Sequence, residues 1–268
     1  MPGGFFRMGV VMVAGTLPRA LALVAAVCTA PTFADERDGL YLGVIASAAF
    51  YDVDYRKGVD NRHAGNMSAN AGQVIFSNDS ADQTTWDVGV LVGYRLGQSA
   101  FLDVEADLVT HRGEASGRLP GAGASPGNNQ LGDVWPEDWS MAKDRSYGVT
   151  LRLGVEVPGL GADLYVLGGL RRLDADFRTA YTGCLLPAGC DPGQFASGRE
   201  QHDEDYDAWV VGAGFEKTLG SIGVRGEVRY ADHGSSERTV PFDEVAVTVP
   251  VELAAGEVGL GLGLIWRP

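Results

Sequence analysis

Apolar residues recur at every second position through eight stretches of this chain. The last is the cleanest. Within 257–266, Val258, Leu260, Leu262, Leu264 and Trp266 fall on one face, and Glu257, Gly259, Gly261, Gly263 and Ile265 on the other. A repeat of two marks a β-strand, whose successive side chains point to opposite faces. Ten residues is also about the length with which a tilted strand crosses a bilayer. The same alternation predicts strands over 40–50, 86–96, 100–108, 147–157, 209–216 and 222–230. A further strand, 163–171, is apolar on both faces, and its parity is left open.

The two faces differ in kind. One carries Val, Leu and aromatic side chains, as in Trp86, Val88, Val90, Val92, Tyr94 and Leu96. The other carries glycines and charges: Asp103, Glu105, Asp107, Arg152, Glu156, Arg225, Glu227 and Arg229. A soluble sandwich or lipocalin-like barrel also alternates, but it turns its apolar face inward and would have to expose that charged set. An apolar outside with aromatics near its ends, around a small polar inside, is the pattern of a transmembrane barrel. Connections follow suit. Tight turns are predicted at Gly97-Gln98, Pro158-Gly159 and Gly220; long polar loops are predicted over about 55–85, 111–145, 172–206 and 231–256. The expected fold is all-β: an eight-stranded antiparallel transmembrane barrel with short periplasmic turns and four long extracellular loops. The alternation of Val245, Val247, Val249, Val251 and Leu253 reads as the last strand continuing past the membrane, despite Pro250.

Residues 1–34 hold Arg7 and Arg19, no acid, and an apolar run from Ala20 to Val27 ending at Thr32-Phe33-Ala34. This is the make-up of a cleaved secretory signal, leaving 35–268 as the barrel domain. Val27 before Cys28 argues against a lipid-modified cysteine. Loss of Arg7 and Arg19 takes the formal charge from −14 to −16. So acidic a chain is no partner for nucleic acid.

The segments Val88 to Leu96 and Phe101 to Leu108 resemble the second and third strands of small bacterial outer-membrane β-barrel proteins of the opacity-protein and porin-like kind. Val211 to Glu216 with Val224 to Gly234 resemble later strands of the same family. The resemblance reaches the strands and not the loops. It implies the outer membrane of a Gram-negative bacterium, contact with lipid and lipopolysaccharide, and insertion by the barrel-assembly machinery. That family ends on an aromatic residue, whereas here Arg267-Pro268 follow Trp266.

An eight-stranded barrel is just wide enough for side chains to fill. The inward charges therefore form either a plug of salt bridges or the lining of a narrow path for ions or small solutes. Cys184 and Cys190, the two cysteines left after export, are expected to pair. The run Asp203-Glu204-Asp205-Tyr206-Asp207 invites divalent ions but lacks the spacing of a dedicated calcium loop. Residues 121–129 read as a flexible linker, and Trp135 and Trp139 as a binding tip or interface anchor. His233, Ser235 and Glu237 contain the elements of a hydrolytic set, but the parity of Arg229 sends His233 and Ser235 inward. The expected function is non-catalytic, without metal or cofactor: a structural or surface-interaction role, with an extracellular protein as the candidate ligand of the loops. A narrow porin-like channel is the alternative.

Overall fold

The structure is a computed structural model describing residues 38–65, 68–186, 190–243 and 246–268; the signal segment 1–34 lies outside these. The strands are β1 (Gly39–Asp60), β2 (Val74–Leu96), β3 (Ala100–Arg112), β4 (Glu114–Leu119), β5 (Glu137–Val157), β6 (Ala162–Gly183), β7 (Ala196–Leu219), β8 (Ile222–Phe242) and β9 (Val247–Trp266). β3 and β4 are successive parts of one stave, interrupted at Gly113, and both pair with β5. Every neighbouring pair is antiparallel, and β1 joins β9 while β3 joins β5, so eight staves close a ring.

The ring is staggered. A row of paired residues that starts at Leu96 passes through Leu102, Leu153, Val166, Ala213, Val228, Leu260 and Ala48. It returns to β2 at Trp86, ten residues from where it began. That stagger over eight staves tilts the strands by about 40°. The outward apolar run from Trp86 to Leu96 then spans about 25 Å along the axis, the height of an outer-membrane hydrocarbon belt. Phe50, Trp86, Tyr147, Trp209 and Tyr230 stand exposed at its outer edge.

One expectation needs revision. The staves do not stop at the girdle: most of the four segments read as long loops is strand, and the connections shrink to 61–73, 120–136, 184–195 and 243–246. From Val74 to Trp86, β2 alone climbs roughly 30 Å beyond the belt. β9 does extend outward as its alternation predicts. Pro250 sits where the β1–β9 ladder skips from Lys57↔Val251 to Asp60↔Thr248, because a proline has no N–H to offer it. The open parity of β6 is also settled. Asp163, Tyr165, Leu167 and Arg171 face inward, and Leu164, Val166 and Leu170 face out.

The chemistry of the wall reverses at the girdle. Below it, apolar residues face out and charges face in. Above it, Tyr51, Val53, Tyr55, Trp139, Met141, Leu173, Phe177 and Leu253 fill the interior, while Asp52, Asp54, Asp82, Asp203 and Asp205 point to water. Two staves carry a β-bulge there, between Lys143 and Arg145 in β5 and between Asp232 and Ser235 in β8. An extra residue flips the facing of everything beyond it.

Candidate functional site

The lumen below the girdle is built from inward side chains of all eight staves. At its periplasmic floor, Arg95 donates a forked pair of hydrogen bonds to Asp103 (2.8 and 3.0 Å) and a third to Asp163 (2.5 Å). Arg267 turns back under the ring to Glu216 (2.5 Å) and lies against the Tyr41 ring. The residue that breaks the aromatic chain end thus closes the bottom of the barrel.

One layer higher, Glu105 accepts from Arg225 (2.6 Å), Arg152 (2.5 Å) and the Tyr41 hydroxyl (3.2 Å). Arg225 also reaches Glu216 (3.0 Å). Glu227 gathers Arg152 (3.0 Å), Tyr165 (2.7 Å) and Arg229 (2.7 Å), and Asp107 takes a bidentate bond from Arg171 (2.7 and 2.8 Å). Six arginines (95, 152, 171, 225, 229, 267) here meet six carboxylates (103, 105, 107, 163, 216, 227). The layer is neutral as well as full. Close packing shows at Gly93, where a Cβ would run into the Tyr41 ring.

Of the residues predicted to line the lumen, Asp103, Glu105, Asp107, Arg152, Arg225, Glu227 and Arg229 all join this network. Glu156 is half-buried at the floor, opposite Asp163. Reasoning from sequence missed Asp163 and Arg171, because the parity of their strand was open. It also passed over Arg95 and Glu216, although alternation had placed both inward.

Above this layer sits a second polar cluster. Lys143 binds Glu257 (2.5 Å) and approaches Asp87 (3.6 Å). The His111 imidazole bridges Asp87 (Nδ1, 2.7 Å) and Ser146 Oγ (Nε2, 2.8 Å), and Arg171 donates to the same Ser146 oxygen (3.0 Å). The spacing is that of an acid–histidine–serine relay. Ser146 is wholly buried, however, and its oxygen is already held by Arg171. A cavity of about 50 Å³ lies beside this cluster, along Ser47, Ala49, Gly259 and Gly261. It holds a few waters at most.

His233, at the β8 bulge and beyond the girdle, is buried between the edges of Tyr51 and Tyr206. Burial pushes its imidazole down to about 4, against the pull of Glu257. Its folded value lies below the unfolded 6.5, so its contribution to stability is complete at neutral pH and is lost as pH falls from about 6.5 towards 4. We expect urea midpoints of the refolded barrel to fall over that window, and His233→Phe to flatten the fall. An unchanged pH profile in the variant would contradict this burial.

The bulge also separates the candidate hydrolytic set. His233 faces in, Ser235 and Glu237 face water, and it is Ser236 that turns inward, to Glu204 (2.7 Å). The acidic run divides likewise: Glu204 points inward to Arg238 (2.7 Å), and Asp205 and Asp207 point outward to Arg172. No three metal-competent side chains come together among the described residues. Trp139 is core rather than tip, its Nε1–H donating to Asp79 (2.7 Å). Segment 121–129 is pinned rather than loose: Ala122 bridges Val134, and Ala124 N–H donates to Asn70 (2.9 Å). Cys184 and Cys190 form the expected disulfide, and Cys184 N–H donates to Asn129 O (2.6 Å) beneath exposed Leu185 and Leu186.

The family model for the outer membrane protein beta-barrel domain matches residues 20–263. The chain belongs to this outer-membrane β-barrel family. Its place is accordingly the outer membrane of a Gram-negative cell. No curated protein matches it in sequence. Among solved structures it is similar to OmpT, an outer membrane protease of Escherichia coli (9% identity, 88% of this chain and 98% of that one, TM-score 0.44). It is also similar to Neisserial surface protein A (12%, 83% and 95%, TM-score 0.35) and to Ail of Yersinia pestis, crystallised with a heparin analogue (13%, 82% and 99%, TM-score 0.31).

Proposed function

We propose that this protein is a non-catalytic envelope barrel, exported through a cleaved signal, inserted by the barrel-assembly machinery, and acting through its outer wall and rim. The observation that carries this reading is a lumen filled twice over. A neutral salt-bridge layer occupies the membrane, and an apolar core closes the part above it. Unpaired charge in so narrow a space is costly, and here each lumen arginine meets a carboxylate. What remains to meet other molecules is the acidic outer wall, lipid and lipopolysaccharide at the belt, and the disulfide-bridged apolar tip at Leu185 and Leu186, with an extracellular protein as the ligand class for the rim. The enclosed His111–Ser146 pair is read as a structural relay, since no substrate reaches it.

One observation favours a narrow channel instead. At Gly259 and Gly261 a Cβ would meet nothing closer than 3.6 Å, so the wall leaves space there that packing does not require. Planar-bilayer conductance of the refolded 35–268 chain separates the readings, with a heat-modifiable gel shift confirming the barrel. We expect a folded barrel that passes no current. Discrete channels altered by Arg225→Ala would replace this reading with the channel.

A further inference from the structure

The stagger of the ring brings three arginines to one level. Arg112 on β3, Arg145 on β5 and Arg172 on β6 all point outward. Arg145 lies opposite Thr110, two residues from Arg112, and Arg172 lies opposite Tyr147, two residues from Arg145. The line through them therefore drops two residues per stave, while the rows climb ten residues over eight staves. The two slopes nearly cancel, leaving about 2 Å of descent per stave. Diagonal neighbours of this kind stand about 7–8 Å apart.

That level is the girdle itself, for Arg112 pairs with Trp86 and Arg172 with Tyr147. Going on around the ring, the outward positions nearest that height are Asp207, Asp232, Gly256, Phe50 and Trp86, with no basic residue among them. Arg112 has no ion-pair partner among the described residues. Arg145 is held by Asp174 (2.8 Å) and Arg172 by Asp205 (2.8 Å) and Asp207 (3.3 Å), all at the water surface. Exposed pairs of this sort contribute little and exchange readily. A phosphate would therefore compete with these carboxylates at Arg145 and Arg172, and would meet no such competitor among the described residues at Arg112.

We propose that Arg112, Arg145 and Arg172 form a docking arc for the phosphate groups of an outer-leaflet glycolipid. Guanidinium groups bind phosphate oxygens through forked hydrogen bonds, and phosphorylated headgroups lie at the height of the aromatic girdle. The arc rests on the reading that outer-leaflet lipid is a partner of this barrel, and it assigns that contact to one third of the circumference.

The test uses the mature chain refolded in lipopolysaccharide-free micelles, its folding confirmed by gel shift, and titrated with bisphosphorylated lipid A under native mass spectrometry. Wild type is expected to retain lipid A. The triple variant R112Q/R145Q/R172Q should lose at least tenfold in affinity, R112Q alone several-fold, and R199Q, high on the wall, nothing. Lipid A stripped of phosphate should bind wild type as weakly as lipid A binds the triple variant, and millimolar inorganic phosphate should not displace the intact lipid. R112Q breaks no ion pair, so it remains informative should the triple variant fold poorly. Equal binding by wild type and R112Q, or equal loss in R199Q, overturns the arc while leaving lipid as a partner. A folded wild type that retains no lipid A removes the partner itself.

Discussion

Glu105→Ala is expected to be among the most destabilising single changes in the barrel, costing about 3–5 kcal/mol. The carboxylate lies at the centre of the lumen and binds Arg152, Arg225 and the Tyr41 hydroxyl at once. Its removal leaves two buried guanidinium groups facing each other with one partner fewer, and Arg152 then depends on Glu227 alone. Neither arginine can turn out to bulk water, because the outer face of the wall is lipid and the cavity beside Arg225 holds only a few waters. The measurement is the urea midpoint of the refolded protein in lipid vesicles, read from tryptophan fluorescence and the gel shift together. The variant should lose several kcal/mol by both. A loss below about 1 kcal/mol would mean that water, not Glu105, solvates these arginines.

Phe177→Ala should have a comparable effect in a different place. Phe177 is fully buried in the outer core, with the Tyr55 ring at 5.0 Å and Trp139 at 6.4 Å. Emptying an aromatic site in such a core costs about 3–5 kcal/mol. The loss is expected to be local, since the staves below the girdle keep their ion pairs and their lipid-facing belt. Protease added from outside should cut the variant within the outer half and leave a membrane-protected, still heat-modifiable remnant, while wild type resists. Loss of the whole barrel from the membrane would show that the two halves fold as one unit.

The sequence revealed the membrane half well and the outer half poorly, for one physical reason. Lipid demands an unbroken apolar stripe, so Trp86 to Leu96 and Val258 to Trp266 declare their facing residue by residue. Above the girdle the demand reverses and the strands look like polar loop. Tyr51, Val53 and Tyr55 alternate with Asp52, Asp54 and Arg56, but bulges at Lys143/Arg145 and Asp232/Ser235 break the count elsewhere. The bulge in β8 is why Ser235 was expected inside and lies outside. Of the lumen network, alternation shows which side chains face in but not which ones meet. Glu105 and Arg225 are 120 residues apart and become neighbours only when the ring closes.

The reversal of the wall at the girdle also sets how deep the molecule floats. Sinking by a single pair of residues would carry Asp207, Asp232 and then Asp52 into hydrocarbon. Rising by as much would lift the apolar ends of the staves, such as Trp86 and Tyr147, out into water. Each displacement is opposed by several staves at once. The barrel therefore carries its own waterline, drawn around it by carboxylates above and aromatic rings below. The rim is held a fixed distance, roughly 30 Å, clear of the lipid surface.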